Sequence, residues 1–352
     1  MAITSARLQN FRSHIDSSFE FDDGVNIIVG PNASGKTNLL DALCFVAIGT
    51  SLKNTKDKTV NISTNKEWSR VDIIEDTNQT RTLKIQPPQQ TIIDIEGKIY
   101  KRLPLTKKIP IVMFEPNQLY QITSSPDQRR SLLDDIISKT EHSFNKLKND
   151  YLRTLIQRNK LLKQPNSIIK QQIFAWDIRL SELASLYVSK RELMIEKINQ
   201  TSSNVYSTIA NKNYNFKLRY SSKLSTSNYS TAMLSKLQQN LEIDCLRGFT
   251  GVGPHRDDIV LLINNQDIRN IASRGEARSV LLTLKIIEAN LLEELYGTKP
   301  IFLLDDVFGE LDGIRRKSLI EFIDGGQTFI TTTDADIINH RFMSLANIIS
   351  LV

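Results

Sequence analysis

Residues Gly30, Pro31, Asn32, Ala33, Ser34, Gly35, Lys36 and Thr37 have the types and spacing of a loop that wraps a phosphate, G-x-x-x-x-G-K-[ST]. The glycines let backbone N–H groups close on the negative charge, and the helix that follows adds its positive end. In that chemistry Lys36 reaches the β- and γ-phosphates of ATP, and the Thr37 hydroxyl ligates Mg²⁺. A second group of candidates is the run 301–306, four apolar residues ending in Asp305 and Asp306. It predicts a buried strand with carboxylates at its C-terminal end, where open α/β sheets bind ligands. Asp305 then suits the Mg²⁺ shell, and Asp306 suits polarisation of the attacking water. A third is Ser273, Arg274, Gly275 and Glu276. This is the pattern of a capping box, and it is also the layout of a signature turn whose serine and helix dipole touch the γ-phosphate of a nucleotide held by a second subunit. The two readings are compatible.

These residues need strands and helices to carry them. The apolar run 25–29 reads as a buried strand and 36–47 as a helix with Leu39, Leu40, Leu43 and Val46 on one face. Alternating patterns at 71–76, 81–86, 91–96 and 98–102 read as two hairpins, and 109–114 as another buried strand. From Pro126 to about Ala210 glycine almost disappears and apolar residues recur at helical spacing. One stripe runs from Phe144 to Leu162 and another from Ile173 to Met194, broken at Pro165, which predicts a helical hairpin too short for a coiled-coil arm. Strands return at 216–220, 259–263, 301–306, 328–333 and 347–352, with helices over 274–296 and 313–323. About 270 residues separate Lys36 from Asp305, so a large insertion divides the site in sequence. The expected organisation is an α/β core from both chain ends: residues 1–125 and 211–352, with a compact helical lobe at 126–210 between them.

Composition bounds the rest. With 352 residues, 40% hydrophobic and 24% charged, the chain is an ordinary globular protein of roughly two domains. Cys44 and Cys245 read as buried free thiols in a reducing compartment, and the four histidines (His14, His142, His255, His340) have no zinc-ligand spacing. No apolar run has bilayer length and the N-terminus has no apolar h-region, so no membrane partner and a cytoplasmic location are expected. The net charge of +6 is modest, but its distribution is uneven. Residues 97–114 carry Lys98, Lys101, Arg102, Lys107 and Lys108 with no acid, and 146–170 carries seven basic residues against Asp150. Each cluster is either solvated surface or a face that tracks phosphates.

Several runs together resemble the RecF family of SMC/Rad50-like ABC ATPases. They are Leu8 with Asn10, Phe11 and Arg12; Gly30 through Asn38; Phe114 with Pro116; Ser125 through Asp134; Gln157, Arg158 and Asn159 with Lys163; Gly253 through Asp258; Ser273 through Glu276; and Leu304 through Asp312. The resemblance runs from end to end. It implies an α/β fold, an ABC-type P-loop ATPase head built from both chain ends with an inserted compact helical lobe. It implies a weak DNA-dependent ATPase that forms an ATP-dependent homodimer, binds DNA at single-strand to duplex junctions, and works with RecR and RecO to load recombinase during repair. Carried over residue by residue, the nucleotide contacts are Gly30, Pro31, Asn32, Ala33, Ser34, Gly35, Lys36, Thr37 and Asn38, with Arg12 nearby. Ser273, Gly275 and Glu276 would form the turn against the partner's nucleotide, and Asp312 would lie at the subunit interface. Lys36 and Asp306 would be the catalytic pair, and Thr37 and Asp305 the metal ligands. Asp306 stands where transporter ATPases have Glu, and Thr333 where they have a switch histidine. Gln118 is the candidate metal-sensing glutamine. His255 and Arg256 are either a hydrogen-bonded structural turn or part of an interface or DNA contact. Two rivals remain open from the loop alone, a small-molecule phosphotransferase and a transporter ATPase.

Overall fold

The computed structural model describes residues 2–51, 68–86, 90–115, 118–333 and 346–351. The chain begins with β1 (Ile3–Phe11), β2 (His14–Glu20), β3 (Val25–Val29), α1 (Lys36–Ile48), β4 (Ser69–Glu75), β5 (Thr80–Gln86), β6 (Gln90–Ile95), β7 (Lys98–Tyr100) and β8 (Ile111–Phe114). Next come α2 (Leu119–Thr123), α3 (Pro126–Thr140), α4 (Phe144–Leu161), α5 (Asn166–Ala210), β9 (Phe216–Ser221), α6 (Tyr229–Gln239), α7 (Leu241–Arg247), β10 (Asp258–Ile263), β11 (Gln266–Asp267), α8 (Ile268–Ile271) and α9 (Arg274–Tyr296). The chain closes with β12 (Ile301–Asp305), α10 (Gly313–Ile323), β13 (Thr328–Thr332) and β14 (Asn347–Ser350). Of the expected elements, Pro116 and Val352 lie outside the described residues. No described helix is long and apolar enough to cross a membrane. Neither cysteine forms a disulfide; Cys44 is buried and Cys245 half-buried.

Packing divides the chain into two units, Met1–Gln118 with Lys285–Val352, and Leu119–Leu284. In the first, both chain ends build one parallel sheet. Among the described residues its order is β14-β3-β13-β12-β8, so strands from the C-terminal third flank β3 on both sides. A second, antiparallel sheet runs β2-β1-β4-β5-β6-β7. Helix α1 contacts strands of both sheets. It is therefore buried all round, Ala42, Cys44, Phe45 and Ala47 included, rather than on the single face its leucines suggest. The buried Gln327 ties the sheets together, accepting from the Ile3 N–H (2.8 Å) and donating to the Ile3 (2.7 Å) and Asp22 (2.9 Å) carbonyls.

The second unit is larger than the lobe expected at 126–210. Strands β9, β10 and β11 pair with one another, not with the parallel sheet, and lie against α3 and α5. The alternating burial of β9, with Phe216 and Leu218 inward, fits an antiparallel sheet covered on one face. Helix α5 has 45 residues, roughly 67 Å at 1.5 Å per residue, and outruns the apolar stripe that ends near Met194. Its second half buries Ile195, Ile198, Tyr206 and Ile209 and is also held by β9: Asn199 exchanges two 2.8 Å hydrogen bonds with the backbone of Leu218, and Ser202 donates to the Phe216 carbonyl at 2.7 Å. The 18-residue α4 packs against α5.

Buried ion pairs hold this unit. Arg158, fully buried, donates to Asp177 (2.6 Å), Asp244 (2.8 Å) and Thr250 (2.8 Å). Arg191 binds Asp134 (2.9 and 3.1 Å) and the Pro254 carbonyl (2.7 Å), and Arg129 binds Asp258 (3.0 and 2.7 Å). Burial pushes the Asp134 carboxyl up, but Arg191 and Lys148 outweigh it and hold the group below the usual range. The basic cluster at 146–170 therefore loses Arg158 from any surface role, because a guanidinium this deep is stabilised only by its carboxylates. Lys146, Arg153, Lys160 and Lys163 are exposed.

His255 resolves to the structural reading. Its Nε2 faces the Thr250 carbonyl at 3.2 Å and so carries the proton, while Nδ1 accepts from the Tyr151 hydroxyl at 2.6 Å. Burial, with Arg256, Arg130 and Arg191 adding, pushes its pKa down from 6.5 to about 4. The unfolded chain thus takes up a proton that the folded chain refuses between these values. Stability is complete above pH 6.5 and falls as pH drops towards 4, by on the order of 3 kcal/mol. Urea unfolding at pH 7 and pH 5 should show a smaller loss for His255→Gln than for wild type; equal losses would contradict the assignment.

Candidate nucleotide site

The loop at 30–35 begins where β3 ends. Its geometry demands glycine at two places. A side chain at Gly30 would meet the Leu351 carbonyl at 2.5 Å, and Gly35, with φ 103°, would meet Ser13 and His14 at 2.7 and 2.9 Å. Ala33 adopts φ 69°, a left-handed conformation that an L-residue adopts only at a cost in free energy. The Lys36 ammonium is 5% exposed and donates to the Gly30 (2.7 Å) and Pro31 (2.9 Å) carbonyls, so it is held across the loop.

Thr37 and Asp305 meet across 268 positions of sequence. The Thr37 hydroxyl lies 2.9 Å from each Asp305 oxygen. The meeting follows from strand order, since β12 and β3 both neighbour β13 and all three run parallel. Thr331, opposite Asp305 on β13, donates to Oδ1 at 2.7 Å and accepts from the Asp306 N–H at 3.0 Å. Asp306 is exposed with φ 49°. Burial of its surroundings raises its pKa above the ordinary value, with Lys36 opposing and Asp305 adding. A carboxylate so raised is a better proton acceptor near neutral pH.

The other expected site residues divide. Asn38 donates to Ser13 at 2.7 Å. Arg12, at φ 49° in the turn between β1 and β2, forms an ion pair with the buried Asp41 of α1 at 2.5 Å and donates to Ser51 at 3.1 Å. Gln118 follows β8, the neighbour of β12, and its side chain accepts from the Glu115 N–H at 3.4 Å. Thr333 is exposed just past β13. Asp312 caps α10, accepting from the Arg315 N–H at 3.0 Å, and that bond with the Arg315 charge lowers its pKa. Ser273, Gly275 and Glu276 belong to the second unit. There the capping box is complete: Glu276 accepts from the Ser273 N–H and hydroxyl, both at 2.9 Å, and the Ser273 Oγ accepts from the Glu276 N–H at 3.2 Å. Ser273 and Arg274 are exposed at the start of a 23-residue helix.

Two residues of the first unit escaped the sequence reading. Thr331 carries no motif, and only the strand register reveals it. His14 sits 3.3 Å by Nε2 from the Gly35 carbonyl and 3.2 Å by Nδ1 from Ser17, and burial lowers its pKa. Its signal, a lone histidine after Arg12, is silent without the hairpin that turns there.

The arrangement can take a triphosphate along the loop, with Thr37 and Asp305 offering hard oxygen ligands to a divalent cation. Mg²⁺ sites use one or two protein oxygens together with phosphates and water, which is the number that Thr37 and Asp305 offer.

An AAA domain family model matches residues 5–244. The chain is 32% identical to the DNA replication and repair protein RecF of Natranaerobius thermophilus over 96% of this chain and 93% of that one. It is 33% identical to that of Lachnoclostridium phytofermentans over 97% and 95%. The solved structure of the recombination mediator protein RecF with ATP, in the RecFOR pathway, superposes with a TM-score of 0.84 at 28% identity, covering 96% of this chain and 93% of that one. An Smc head bound to the C-terminal winged-helix domain of ScpA shares the fold at 16% identity, with a TM-score of 0.54 over 96% of this chain and 91% of that one.

Because Asp306 has a raised pKa, its ionisation opposes folding. The protonated form's stability is present at low pH and is lost as pH rises through the folded value. Asp306→Asn should therefore unfold at a higher urea midpoint than wild type at pH 7, the gain vanishing below pH 4. A lower midpoint at pH 7 would contradict the shift.

Proposed function

Since the chain belongs to the RecF family of DNA replication and repair proteins, we propose that it is an ATP-gated DNA-binding protein that dimerises around nucleotide and hydrolyses it slowly. The observation that carries this reading is the Thr37–Asp305 contact beside the outward Asp306. It supports a nucleotide whose phosphates replace the Gly30 and Pro31 carbonyls as partners of Lys36. Mg²⁺, when bound, would offset the charge developing on the β- and γ-phosphates, and Thr37 and Asp305 are the residues to hold it. Asp306 orients a water for attack on the γ-phosphorus and accepts its proton, giving ADP and phosphate. Asn38 and Arg12 support the loop, Arg12 by way of Asp41.

In the dimer, the exposed Ser273 and the half-buried Gly275 of one copy face the γ-phosphate held by the other, with Glu276 keeping the turn in shape. The N-terminus of α9 favours that anion. Asp312 lies at the same interface, and Gln118 senses the metal site. The exposed Lys98, Lys101, Arg102 and Lys107 of the first unit, and Lys146, Arg153, Lys160 and Lys163 of the second, contact the phosphate backbone without reading bases. Family membership supports DNA with a single-strand to duplex junction as ligand, RecR- and RecO-type partners, and action in the cytoplasm. The self-complementary signature at 273–276 favours this reading over a monomeric phosphotransferase.

Retention of gapped DNA should be strong with ATP and weak with ADP. Lys36→Ala should lower ATP affinity tenfold or more, the worth of one charge-assisted hydrogen bond, and abolish retention. Ser273→Arg should keep ATP affinity but sediment as a monomer with a non-hydrolysable analogue. Equal DNA retention in all nucleotide states and by Lys36→Ala would refute the gate.

A further inference from the structure

A cavity of about 260 Å³ opens in the second unit, lined by Lys223, Arg247, Phe249, Arg256 and Asp257 with the glycine-rich stretch 251–253. Lys223, Arg247 and Arg256 are exposed, and none of them forms an ion pair among the described residues. The acid in the lining is already spent: Asp257 accepts from the hydroxyls of Tyr220 (2.7 Å), Tyr229 (2.8 Å) and Ser222 (2.8 Å). Asp244, beneath the rim, is committed to Arg158 and to the Gly251 N–H at 3.0 Å. Three cations against the one carboxylate of Asp257 leave the cavity with a net positive charge.

Its aromatic element is partly open. Phe249 is 39% exposed, and the Arg256 guanidinium carbon lies over its ring, 4.9 Å from the centroid, at the cavity wall. The loop beneath is rigid before any ligand arrives. Asn159 accepts from both the N–H (2.8 Å) and hydroxyl (2.7 Å) of Thr250, Arg158 donates to that hydroxyl, and His255 holds the Thr250 carbonyl. Such preorganisation lowers the ordering cost of binding. The stem of Lys163, in the turn after α4, runs beside Gly248, next in sequence to the lining residues Arg247 and Phe249, 3.2 Å from where a side chain there would begin.

We propose that this cavity holds one unpaired nucleotide of single-stranded DNA, its base stacked on the Phe249–Arg256 plane and its flanking phosphates on Arg247, Lys223 and Lys163. Exposed aromatic and guanidinium planes stack bases that have left a duplex, whereas paired bases hide their faces in their own stack. The proposal rests on the DNA-binding reading above and assigns the strand that the second unit grips.

The test uses the full chain with a non-hydrolysable ATP analogue and two fluorescent probes, oligothymidylate of about 15 nucleotides and a blunt duplex of the same length. Phe249→Ala should weaken single-strand binding five- to 150-fold, the range for loss of one base stack, while duplex binding stays within about twofold. Lys223→Gln with Arg247→Gln should reduce the salt dependence on the single strand by about 1.4 logarithmic units per decade of salt. In wild type, light-induced cross-linking of 5-iodouracil-substituted oligonucleotide should mark Phe249, a readout that needs no variant to fold. Unchanged single-strand affinity in Phe249→Ala, an equal loss on duplex, or cross-links confined to residues outside 223–257 would each overturn the site. Wild type that binds neither probe would instead overturn the DNA-binding reading and this proposal with it.

Discussion

One contact organises the first unit: the Thr37 hydroxyl against both oxygens of Asp305. It can form only if the strand that precedes the loop and the strand that ends in the acid lie one strand apart and parallel. That requires the C-terminal third of the chain to insert β13 beside β3 and to add β14 on its other side. Thr331 on the intervening strand then bonds both Asp305 and the Asp306 backbone, so the acids are aimed by the sheet and not by their own loop. Helix α1 starts at this point and is clamped between two sheets. Any movement of the loop therefore has to be local, confined to the glycines and Ala33.

The second unit solves a different problem, holding a long helix and a small sheet together with buried charge. Arg158, Arg191 and Arg129 each face carboxylates, backbone carbonyls or hydroxyls, and removing one partner of such a pair costs about 3–5 kcal/mol because the other charge stays buried. Several runs that most resemble the family, at 125–134, 157–159 and 253–258, are these struts. Their persistence in a pattern reflects packing as much as chemistry. What remains without an ion pair, Lys223, Arg247 and Arg256, lines a cavity beside a loop that hydrogen bonds hold at Thr250.

The loop, the acid-bearing strand and the capping box were legible because each is local: a few residues whose types and order imply their geometry. The bounds of α9 and α10 agree with the sequence reading to the residue, since apolar spacing and caps coincide there. Helix α1 misled because a stripe of leucines says nothing about the small residues opposite, which a second sheet covers. The helical block read to about Ala210 ends where α5 ends, but the roles of Asn199 and Ser202 in holding β9 carry no signal in sequence. The strands of the second unit were visible as strands but not as a separate sheet, because pairing partners are not encoded in periodicity. Helices α6 and α7 were missed outright.

The left-handed residues show how conformational strain is distributed. Asn78 and Glu96 sit in tight hairpin turns, and Asn211, Asn264 and Asn265 sit at element ends where asparagine accepts such angles cheaply. Asn10, Arg12, Ala33 and Asp306 are of another kind, gathered around the loop and the acids in the first unit. Arginine, alanine and aspartate in this region each cost on the order of 1–3 kcal/mol, which only a rigid frame can sustain. Here the frame is visible: Arg12 is pinned by Asp41 inside α1, Asp306 by Thr331, and the loop by Lys36 and His14. The same residues that hold the strain are those a triphosphate would engage, so ligand binding and loop relaxation draw on one set of hydrogen bonds.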